Sequence, residues 1–291
     1  MNHASNTVTP AAPPAPGRGP GALPEGHPGY HDAAYRAQRA AIAEAALRYR
    51  PGEAVPYVRY SEAEHEVWRT VSAELAVGHR THACREYLTG AGRLELPAHR
   101  APQLGAVSDR LNTLTGFRLS PAAGLVETRS FYGSLAERRF QATQYIRHSS
   151  APRFSPEPDM VHEVIGHAVQ LANPRIADLY ELLGRTVRRL QTPEAVSLVS
   201  RVFWFTFEYG LVREAGRTKV LGASLLTSFG ELQHFHAAEV RPLSAAALAA
   251  QPYRIDVFQP VLFQAESFGH LEDFLGDLLT RLDDDRLPVV A

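Results

Sequence analysis

The chain has 291 residues, 45% of them hydrophobic and 21% charged, which allows one domain of about 250 residues to bury a sizeable core. Its 30 basic and 31 acidic residues give a formal net charge of -1, and this balance excludes the basic surface that nucleic acid or an anionic membrane would require. We therefore expect small-molecule partners, no nucleic acid and no membrane.

The cysteine content and the two ends of the chain suggest a cytoplasmic protein with one folded domain. Cys84 is the single cysteine, so no intrachain disulfide can form. Residues 1–26 are rich in Ala, Pro and Gly and lack the basic and apolar regions of a signal peptide. We predict a disordered tail over 1–26, a catalytic domain over 27–285 and a C-terminal tail over 286–291.

Helix-capping residues mark the first half of the domain. Asp32 precedes a helical pattern, and Ser61 with Glu64 has the spacing of a capping box. After this region the sequence pattern changes from helical to short extended segments between glycines. The predicted elements are helices over 32–50, 61–77 and 102–115, followed by extended pieces and turns over 117–133.

Helical patterns also dominate the second half, where Thr192 followed by Pro193 is a typical helix start. The predicted elements are helices over 159–173, 174–191, 193–214, 229–236 and 268–282, with extended segments over 218–221 and 255–263. The predicted fold class is therefore mainly α with minor β (α+β), in a single domain.

Two histidines five residues apart, His162 and His167, form the sharpest local motif. In the helix of a zinc protease the two histidines stand four apart, so that both rings share one face. On an ideal α-helix a step of five turns the second ring by about 140° from the first. Joint binding of a metal would need a locally widened turn such as a π-bulge, which Gly166 would ease.

Two imidazoles and one carboxylate form the facial triad of non-haem iron(II) enzymes that use dioxygen. Glu208 is the best candidate for the carboxylate, because it is the one acid in an apolar and aromatic segment, and a buried carboxylate needs a partner. The spacing alone leaves other interpretations open. Glu208 could be a core acid paired with Arg201 or Arg213, and the histidines could belong to a zinc-dependent hydrolase.

Ten segments of the chain, spread over roughly residues 28–275, resemble in the same order the catalytic domain of the pterin-dependent aromatic amino acid hydroxylases. The segments are 81–84 (THAC), 114–119 (LTGFRL), 123–125 (AGL), 143–148 (TQYIRH), 156–159 (PEPD), 162–167 (HEVIGH), 204–208 (WFTFE), 228–232 (SFGEL), 258–260 (FQP) and 265–268 (AESF).

The resemblance implies an iron- and pterin-dependent monooxygenase that uses Fe(2+), dioxygen and tetrahydrobiopterin or a related tetrahydropterin. It implies that His162, His167 and Glu208 bind the iron, and Asp159 lies where it could orient His162. Residues implied to bind the pterin are Phe131, Val126, Thr128 and Glu163. Residues implied to bind the amino acid are Arg147, Ser155, Pro158, Trp204, Thr227 and Ser228.

The chain departs from the commonest pattern of this family at four positions near the substrate. Phe203 stands in place of a usual Tyr, and Tyr209 in place of a usual Phe. Ser224 replaces a usual Gly, and Thr227 a usual Ser. No regulatory segment precedes the catalytic region and no long heptad helix follows it, so we expect a monomer.

Two residues bear on the choice of substrate. Trp204 resembles the phenylalanine and tyrosine enzymes, and the apolar Ile255 falls where tyrosine enzymes carry an Asp, which disfavours tyrosine. We expect L-phenylalanine to be hydroxylated at C4 to give tyrosine. Hydroxylation at C3 is the alternative, since the extra methyl group of Thr227 could tilt the ring. A tryptophan 5-hydroxylase of the same family is a further alternative.

Overall fold

Helices make up most of the fold. The computed structural model describes residues 7–8, 19, 21–255, 257–285 and 287. The α-helices, α1 to α12, are Ala33–Arg48, Glu62–His82, Arg85–Leu94, Leu104–Thr115, Thr128–Leu135, Val169–Leu171, Pro174–Arg189, Pro193–Phe203, Ala223–Thr227, Phe229–His234, Ala245–Ala250 and Phe268–Arg281. Two π-helices, π1 and π2, span Val161–Ala168 and Trp204–Glu208, and a 3-10 turn spans Phe235–Ala237.

The strands are short and lie in three small sheets. Strands β1 to β8 are Thr7–Val8, Tyr57–Val58, Arg118–Pro121, Arg139–Ala142, Leu211–Glu214, Arg217–Val220, Glu239–Pro242 and Val261–Ala265. β1 pairs with β2 and β3 with β4, both in parallel. The largest sheet has the order β6-β5-β8-β7, in which only the β5–β6 pair is antiparallel. The predicted fold class, mainly α with minor β, is confirmed.

The predicted helix starts are confirmed at the caps. The Asp32 side chain accepts from Tyr35 N, and Ser61 and Glu64 form both hydrogen bonds of a capping box. The Thr192 side chain accepts from Ala195 N at the start of α8. These short-range signals succeed because the capping bonds join residues two or three positions apart.

Several elements differ from the prediction. The segment 117–133 contains β3 but continues into helix α5, whose first amides donate to the Glu127 carboxylate. The helix predicted over 193–214 ends at Glu208, and β5 begins after Gly210 because its residues pair with β6 and β8. Helix α3 was not predicted, and neither were β4, β7 and α11.

The two predicted tails fall largely outside the described residues, which omit 1–6, 9–18, 20, 286 and 288–291. Within 1–26, Thr7–Val8 pairs with Tyr57–Val58, and the side chain of Leu23 is buried. The boundaries of the domain stay a prediction. Among the described residues, no helix is both long enough and apolar enough to cross a membrane.

π1 lies in the middle of the core, with nearly all of its residues buried. Helix α9 packs directly on it at Gly166. A Cβ atom added to Gly166 would lie 2.9 Å from Ala223 Cβ and 3.4 Å from Thr227 Cγ2. The close approach of the two helices therefore requires glycine at position 166. The same residue also makes the widened turn easier to form.

We predict that Gly166→Ala lowers the free energy of unfolding by about 1–3 kcal/mol, because the added methyl overpacks the contact between π1 and α9. Gly92→Ala is the matched control, since a Cβ at this exposed helical position meets nothing within 4 Å. It should leave stability unchanged or raise it by up to about 1 kcal/mol. Urea unfolding of the metal-free variants measures both, and equal stabilities would contradict the packing argument.

Candidate metal centre

Three side chains from the two π-helices converge inside the domain. His162 and His167 lie on π1, and Glu208 is the last residue of π2. The Nε2 atoms of the two histidines are 3.0 Å apart. Glu208 places Oε1 3.1 Å from His167 Nε2 and Oε2 3.7 Å from His162 Nε2. The three predicted ligands therefore face one shared position.

The widened backbone explains how histidines five residues apart can face the same point. A π-helix closes i to i+5 hydrogen bonds, so residues five apart come to the same side, whereas an α-helix would separate them. The distortion predicted near Gly166 is confirmed, and it extends over Val161–Ala168. A second one at Trp204–Glu208 was not predicted, and there Tyr209 N donates to Trp204 O at 2.9 Å.

The separations of these donor atoms fit one six-coordinate metal ion. Adjacent ligand atoms at about 2.1 Å from an octahedral ion stand about 3 Å apart. The two Nε2 atoms are 3.0 Å apart and Glu208 Oε1 is 3.1 Å from His167 Nε2, while the other oxygen, Oε2, is 3.7 Å from His162 Nε2. Two imidazoles and a carboxylate on one face would leave the other coordination positions open, which suits non-haem iron(II).

Hydrogen bonds determine which nitrogen of His167 is free. The side-chain nitrogen of Gln170 donates to Phe207 O at 2.9 Å and to Leu221 O at 2.8 Å, so its amide oxygen must accept the proton of the Tyr180 hydroxyl. The Tyr180 oxygen then accepts from His167 Nδ1 at 2.8 Å. This leaves the Nε2 lone pair of His167 available for a metal.

The same logic applies to His162. The Thr227 hydroxyl donates to Ala223 O at 2.8 Å, so it can only accept from His162 Nδ1, which lies 3.3 Å away. The Nε2 atom of His162 is again the free donor. Thr227 therefore supports a predicted metal ligand, in addition to the contact with the amino acid that the resemblance implies.

The charges of this cluster suit a cation. Burial holds the pKa of His162 down, to about 4. Burial also opposes ionisation of Glu208, but His167 and His162 outweigh it and lower the pKa of Glu208 to about 2. The pKa of His167 is raised despite burial, because Glu208 lies against it. A metal would thus displace one proton, held between His167 and Glu208.

Glu163 is a second carboxylate near the histidines. One of its oxygens lies within 4.8 Å of imidazole nitrogens of His162 and His167. Oε1 accepts from the backbone N and the hydroxyl of Thr143, at 3.2 and 3.3 Å, and burial raises the pKa of Glu163 to about 7. Glu208 is the stronger candidate ligand, because it contacts both imidazoles directly.

Arg147 and Asp159 form a buried ion pair beside the metal donors. Arg147 donates from Nε to Asp159 Oδ2 at 2.9 Å and from Nη2 to Oδ1 at 2.7 Å. Asp159 Oδ1 also accepts from the backbone N of His162 at 3.3 Å. Asp159 thus holds the backbone of His162, in agreement with the prediction that it could orient this residue, while Thr227 holds the imidazole ring.

Aromatic rings close the site beside His167. The rings of Phe140 and Phe203 lie 4.8 and 5.9 Å from the His167 ring. Phe131, the predicted pterin contact, meets both of these rings edge-on, at 5.3 and 6.0 Å. It is partly buried, so one face remains available for a ligand. Phe131 is therefore one ring removed from the metal donors.

Trp204 lies on the Glu208 side of the site. Its ring stacks on Tyr253 at 4.5 Å and on Tyr209 at 4.7 Å, and its Nε1 donates to Gln259 Oε1 at 3.2 Å. The aromatic contacts hold the indole in one orientation. This orientation is compatible with the predicted role as a wall of the substrate pocket.

The remaining predicted residues lie farther from the donors. The Ser155 hydroxyl donates to Glu157 O at 2.6 Å, and Pro158 O accepts from the Thr143 hydroxyl at 3.3 Å. Ser228 caps α10. Val126 is half-buried and Thr128 is exposed at the start of α5. Among the described residues, no hydrogen bond joins any of these five to His162, His167 or Glu208.

Sequence reasoning missed three supporting residues: Tyr180, Gln170 and Ser224. Tyr180 and Gln170 fix His167, and Ser224 Oγ donates to Glu208 Oε2 at 2.7 Å. Gln170, three positions after His167, carried a weak signal as a polar residue in an apolar helix. The alternative partners for Glu208 are wrong, because Arg201 donates to Gln251 O and Arg213 pairs with Glu266.

Residues 20–284 match the family described as biopterin-dependent aromatic amino acid hydroxylases. The chain belongs to this family, so the resemblance and the class of enzyme are confirmed.

Two curated relatives illustrate how far the similarity extends. A phenylalanine 3-hydroxylase of Streptomyces coeruleorubidus is 44% identical over 256 residues, which cover 88% of this chain and 92% of the relative. Tyrosine 3-monooxygenase of Mus musculus is 43% identical over 262 residues, covering 88% of this chain and 52% of the relative. The chain thus spans about half the length of that animal enzyme.

Solved structures agree with the fold. Chromobacterium violaceum phenylalanine hydroxylase, with bound iron(III) and 7,8-dihydrobiopterin, matches with a TM-score of 0.72 and 30% identity, over 79% of this chain and 85% of that one. The apo structure of the cold-active phenylalanine hydroxylase from Colwellia psychrerythraea matches with a TM-score of 0.72 and 27% identity, over 80% of this chain and 93% of that one.

We predict that Tyr180→Phe weakens metal binding about 10- to 100-fold, because His167 Nδ1 loses its acceptor and the ring loses its fixed orientation. Titration of the metal-free protein with cobalt(II) measures the affinity. Tyr60→Phe is the matched control, since its buried hydroxyl bonds Gln144 O and Met160 Sδ, both at 2.8 Å, and none of the three predicted ligands. Equal affinities of the two variants would show that the bond to Tyr180 does not support the ligand.

Proposed function

We propose that the chain is an iron(II)- and tetrahydropterin-dependent monooxygenase that hydroxylates L-phenylalanine at C3. The observation that supports this activity in the chain's own residues is the cluster of His162, His167 and Glu208. The two Nε2 atoms lie 3.0 Å apart, and the Glu208 oxygens lie 3.1 Å from His167 Nε2 and 3.7 Å from His162 Nε2. The bound iron and dihydrobiopterin of the Chromobacterium violaceum enzyme support the choice of cofactors.

The cofactors would be held by residues on two sides of the cluster. His162, His167 and Glu208 would bind the iron, while Phe131, Val126, Thr128 and Glu163 would contact the pterin. Iron(II) and the reduced pterin supply the redox chemistry that activates dioxygen. The chain itself provides ligands of fixed protonation, orientation of the amino acid and a cavity wall of aromatic rings.

Arg147 would receive the carboxylate of the amino acid. Asp159 engages Nε and Nη2 of Arg147, and among the described residues Nη1 makes no hydrogen bond. The ion pair therefore holds the guanidinium in place and leaves Nη1 for the substrate. Ser155, Pro158, Trp204, Thr227 and Ser228 complete the proposed amino acid site.

The proposed site of hydroxylation, C3, differs from C4, the position that the sequence favours. Both curated relatives described above are named for attack at position 3. Thr227 adds a physical reason, because its hydroxyl is fixed by Ala223 and His162, so its methyl group has a fixed place near Gly166. A small displacement of the ring relative to the iron is enough to change the carbon attacked.

Tyrosine is the competing substrate, since tyrosine 3-monooxygenases are among the relatives. The resemblance favours phenylalanine, because it places the apolar Ile255 where tyrosine enzymes carry an Asp. The Ile255 side chain is largely exposed in this structure. The ratio of kcat/KM for the two amino acids tests this choice. Membership of the family removes the zinc-dependent hydrolase from consideration, and Trp204 argues against tryptophan.

We predict that Glu208→Gln loses stoichiometric iron(II) binding and pterin-dependent oxidation together, because the amide cannot replace the anionic ligand. Glu163→Gln is the matched control, and it should bind iron with a stoichiometry of one. Iron analysis after gel filtration measures both. If Glu163→Gln loses the metal while Glu208→Gln keeps it, the proposed ligand set is wrong.

We predict that Thr227→Ser raises the share of p-tyrosine relative to m-tyrosine, because the methyl group beside the histidine ligands is removed. Thr186→Ser is the matched control, as its buried hydroxyl bonds Leu182 O and Leu279 O, away from the cluster. Chromatography of the hydroxylated isomers gives the ratio. A wild-type enzyme that makes mainly p-tyrosine would refute the proposal of C3.

A further inference from the structure

Two residues that depart from the family pattern, Ser224 and Tyr209, lie beside the same proposed metal ligand. Ser224 Oγ donates to Glu208 Oε2 at 2.7 Å. A glycine at position 224, the usual residue, could not make this bond, and a phenylalanine at position 209 would bring no hydroxyl. The two substitutions together add two hydroxyl groups on one side of Glu208.

The Ser224 hydroxyl bonds only one of the two carboxylate oxygens of Glu208. Oε2 accepts from Ser224, whereas Oε1 lies 3.1 Å from His167 Nε2. A carboxylate with one oxygen held by a donor presents the other in a defined direction. The orientation that Ser224 imposes therefore directs Oε1 toward the shared position between the histidines.

The backbone that carries Ser224 is itself held firmly. Leu221 N and Gly222 N both donate to Gly210 O at 3.0 Å, just beyond Glu208. A Cβ atom at Gly222 would lie 2.2 Å from Glu208 O, so the two segments are in direct backbone contact. Ser224 is thus placed by the packing of α9 against the end of π2, and not by a free loop.

Tyr209 connects this pair to the rest of the pocket. The pKa of its hydroxyl is raised by burial and by the nearby Glu231 carboxylate, and the nearby Ser224 hydroxyl acts in the opposite direction. Glu231 Oε1 accepts from Gln259 N at 3.0 Å, and Gln259 Oε1 accepts from Trp204 Nε1 at 3.2 Å. Polar side chains therefore extend from Glu208 and Ser224, past Tyr209, to Glu231 and Gln259 beside the proposed wall of the amino acid site.

We infer that Ser224 and Tyr209 are positioning residues for Glu208: the Ser224 hydroxyl engages Oε2 so that Oε1 is presented to the metal, and the neighbouring Tyr209 hydroxyl supports the Ser224 hydroxyl directly. The inference rests on the proposed function in one respect, namely that Glu208 is a metal ligand. Ser224 and Tyr209, which both depart from the family pattern, would thus act together on Glu208.

The test measures cobalt(II) binding to the metal-free protein by titration and by the visible absorption spectrum of the bound ion. Ser224→Ala removes the hydroxyl and keeps the Cβ atom, whereas Ser224→Thr keeps the donor. We expect Ser224→Ala to weaken binding about 10- to 100-fold and to change the cobalt spectrum, and Ser224→Thr to restore both toward wild type. Tyr209→Phe should weaken binding less, with a spectral change in the same direction.

Ser72→Ala is the matched control, because the Ser72 hydroxyl is buried and has no hydrogen-bond partner among the described residues. It should keep the wild-type affinity and spectrum. Unfolding of each metal-free variant is measured in parallel, and a stability equal to wild type assigns the lost affinity to the ligand and not to the fold. Should Ser224→Ala fail to fold, Tyr209→Phe decides the question with the same two readouts.

A Ser224→Ala protein that is folded and binds cobalt(II) with wild-type affinity and spectrum overturns the inference. In that case Glu208→Gln still tests the ligand set by itself, so the proposed function can stand while this inference falls. If wild type binds no cobalt(II), or if Glu208→Gln binds it as wild type does, the ligand assignment fails and takes this inference with it.

Discussion

The contact between His167 and Glu208 is the interaction on which the rest of the site depends. It joins π1 to π2, and its 3.1 Å separation is possible only because both helices are widened at the residues that carry the donors. A π-helical turn leaves the core less regular than an α-helical one, and such turns concentrate at functional sites. The close packing of Gly166 on Ala223 is a direct consequence, since α9 must reach past π1 to support His162 and Glu208.

The hydrogen bonds around this contact explain how a buried polar cluster is compatible with a stable core. Each of these buried polar groups has a hydrogen-bond partner. Gln170 accepts from Tyr180, Tyr180 accepts from His167, and Thr227 accepts from His162. Because the Nδ1 proton of each imidazole is held by a hydroxyl oxygen, Nε2 of both rings is directed toward the shared position before a metal arrives. The remaining proton, shared between His167 and Glu208, balances a charge that the metal would later supply.

The sequence was most informative where the decisive interactions are local. Asp32, Ser61 and Thr192 cap helices through bonds to residues two or three positions away, and the five-residue spacing of the histidines required a widened turn. Helix α5 was missed because it packs on α7, which is distant in sequence. Strand β5 was missed although its partner β6 is adjacent, and its other partner, β8, lies about fifty residues further along the chain. The same limit applies to the site, since no local pattern indicates that Tyr180 lies under His167 or that Ser224 lies against Glu208.

The positions that depart from the family pattern change the polarity around Glu208 in a coordinated way. At position 203 a usual hydroxyl is absent, and Phe203 stacks on His167 and packs on Tyr180 with no polar group of its own. At positions 209 and 224 hydroxyls are present instead, on the side of Glu208 that faces Glu231 and Gln259. Polar support is thus lost beside His167 and gained behind Glu208. A carboxylate rotates about its own bonds more freely than a packed imidazole does. The added hydroxyl groups therefore support Glu208, the predicted ligand that most needs to be oriented.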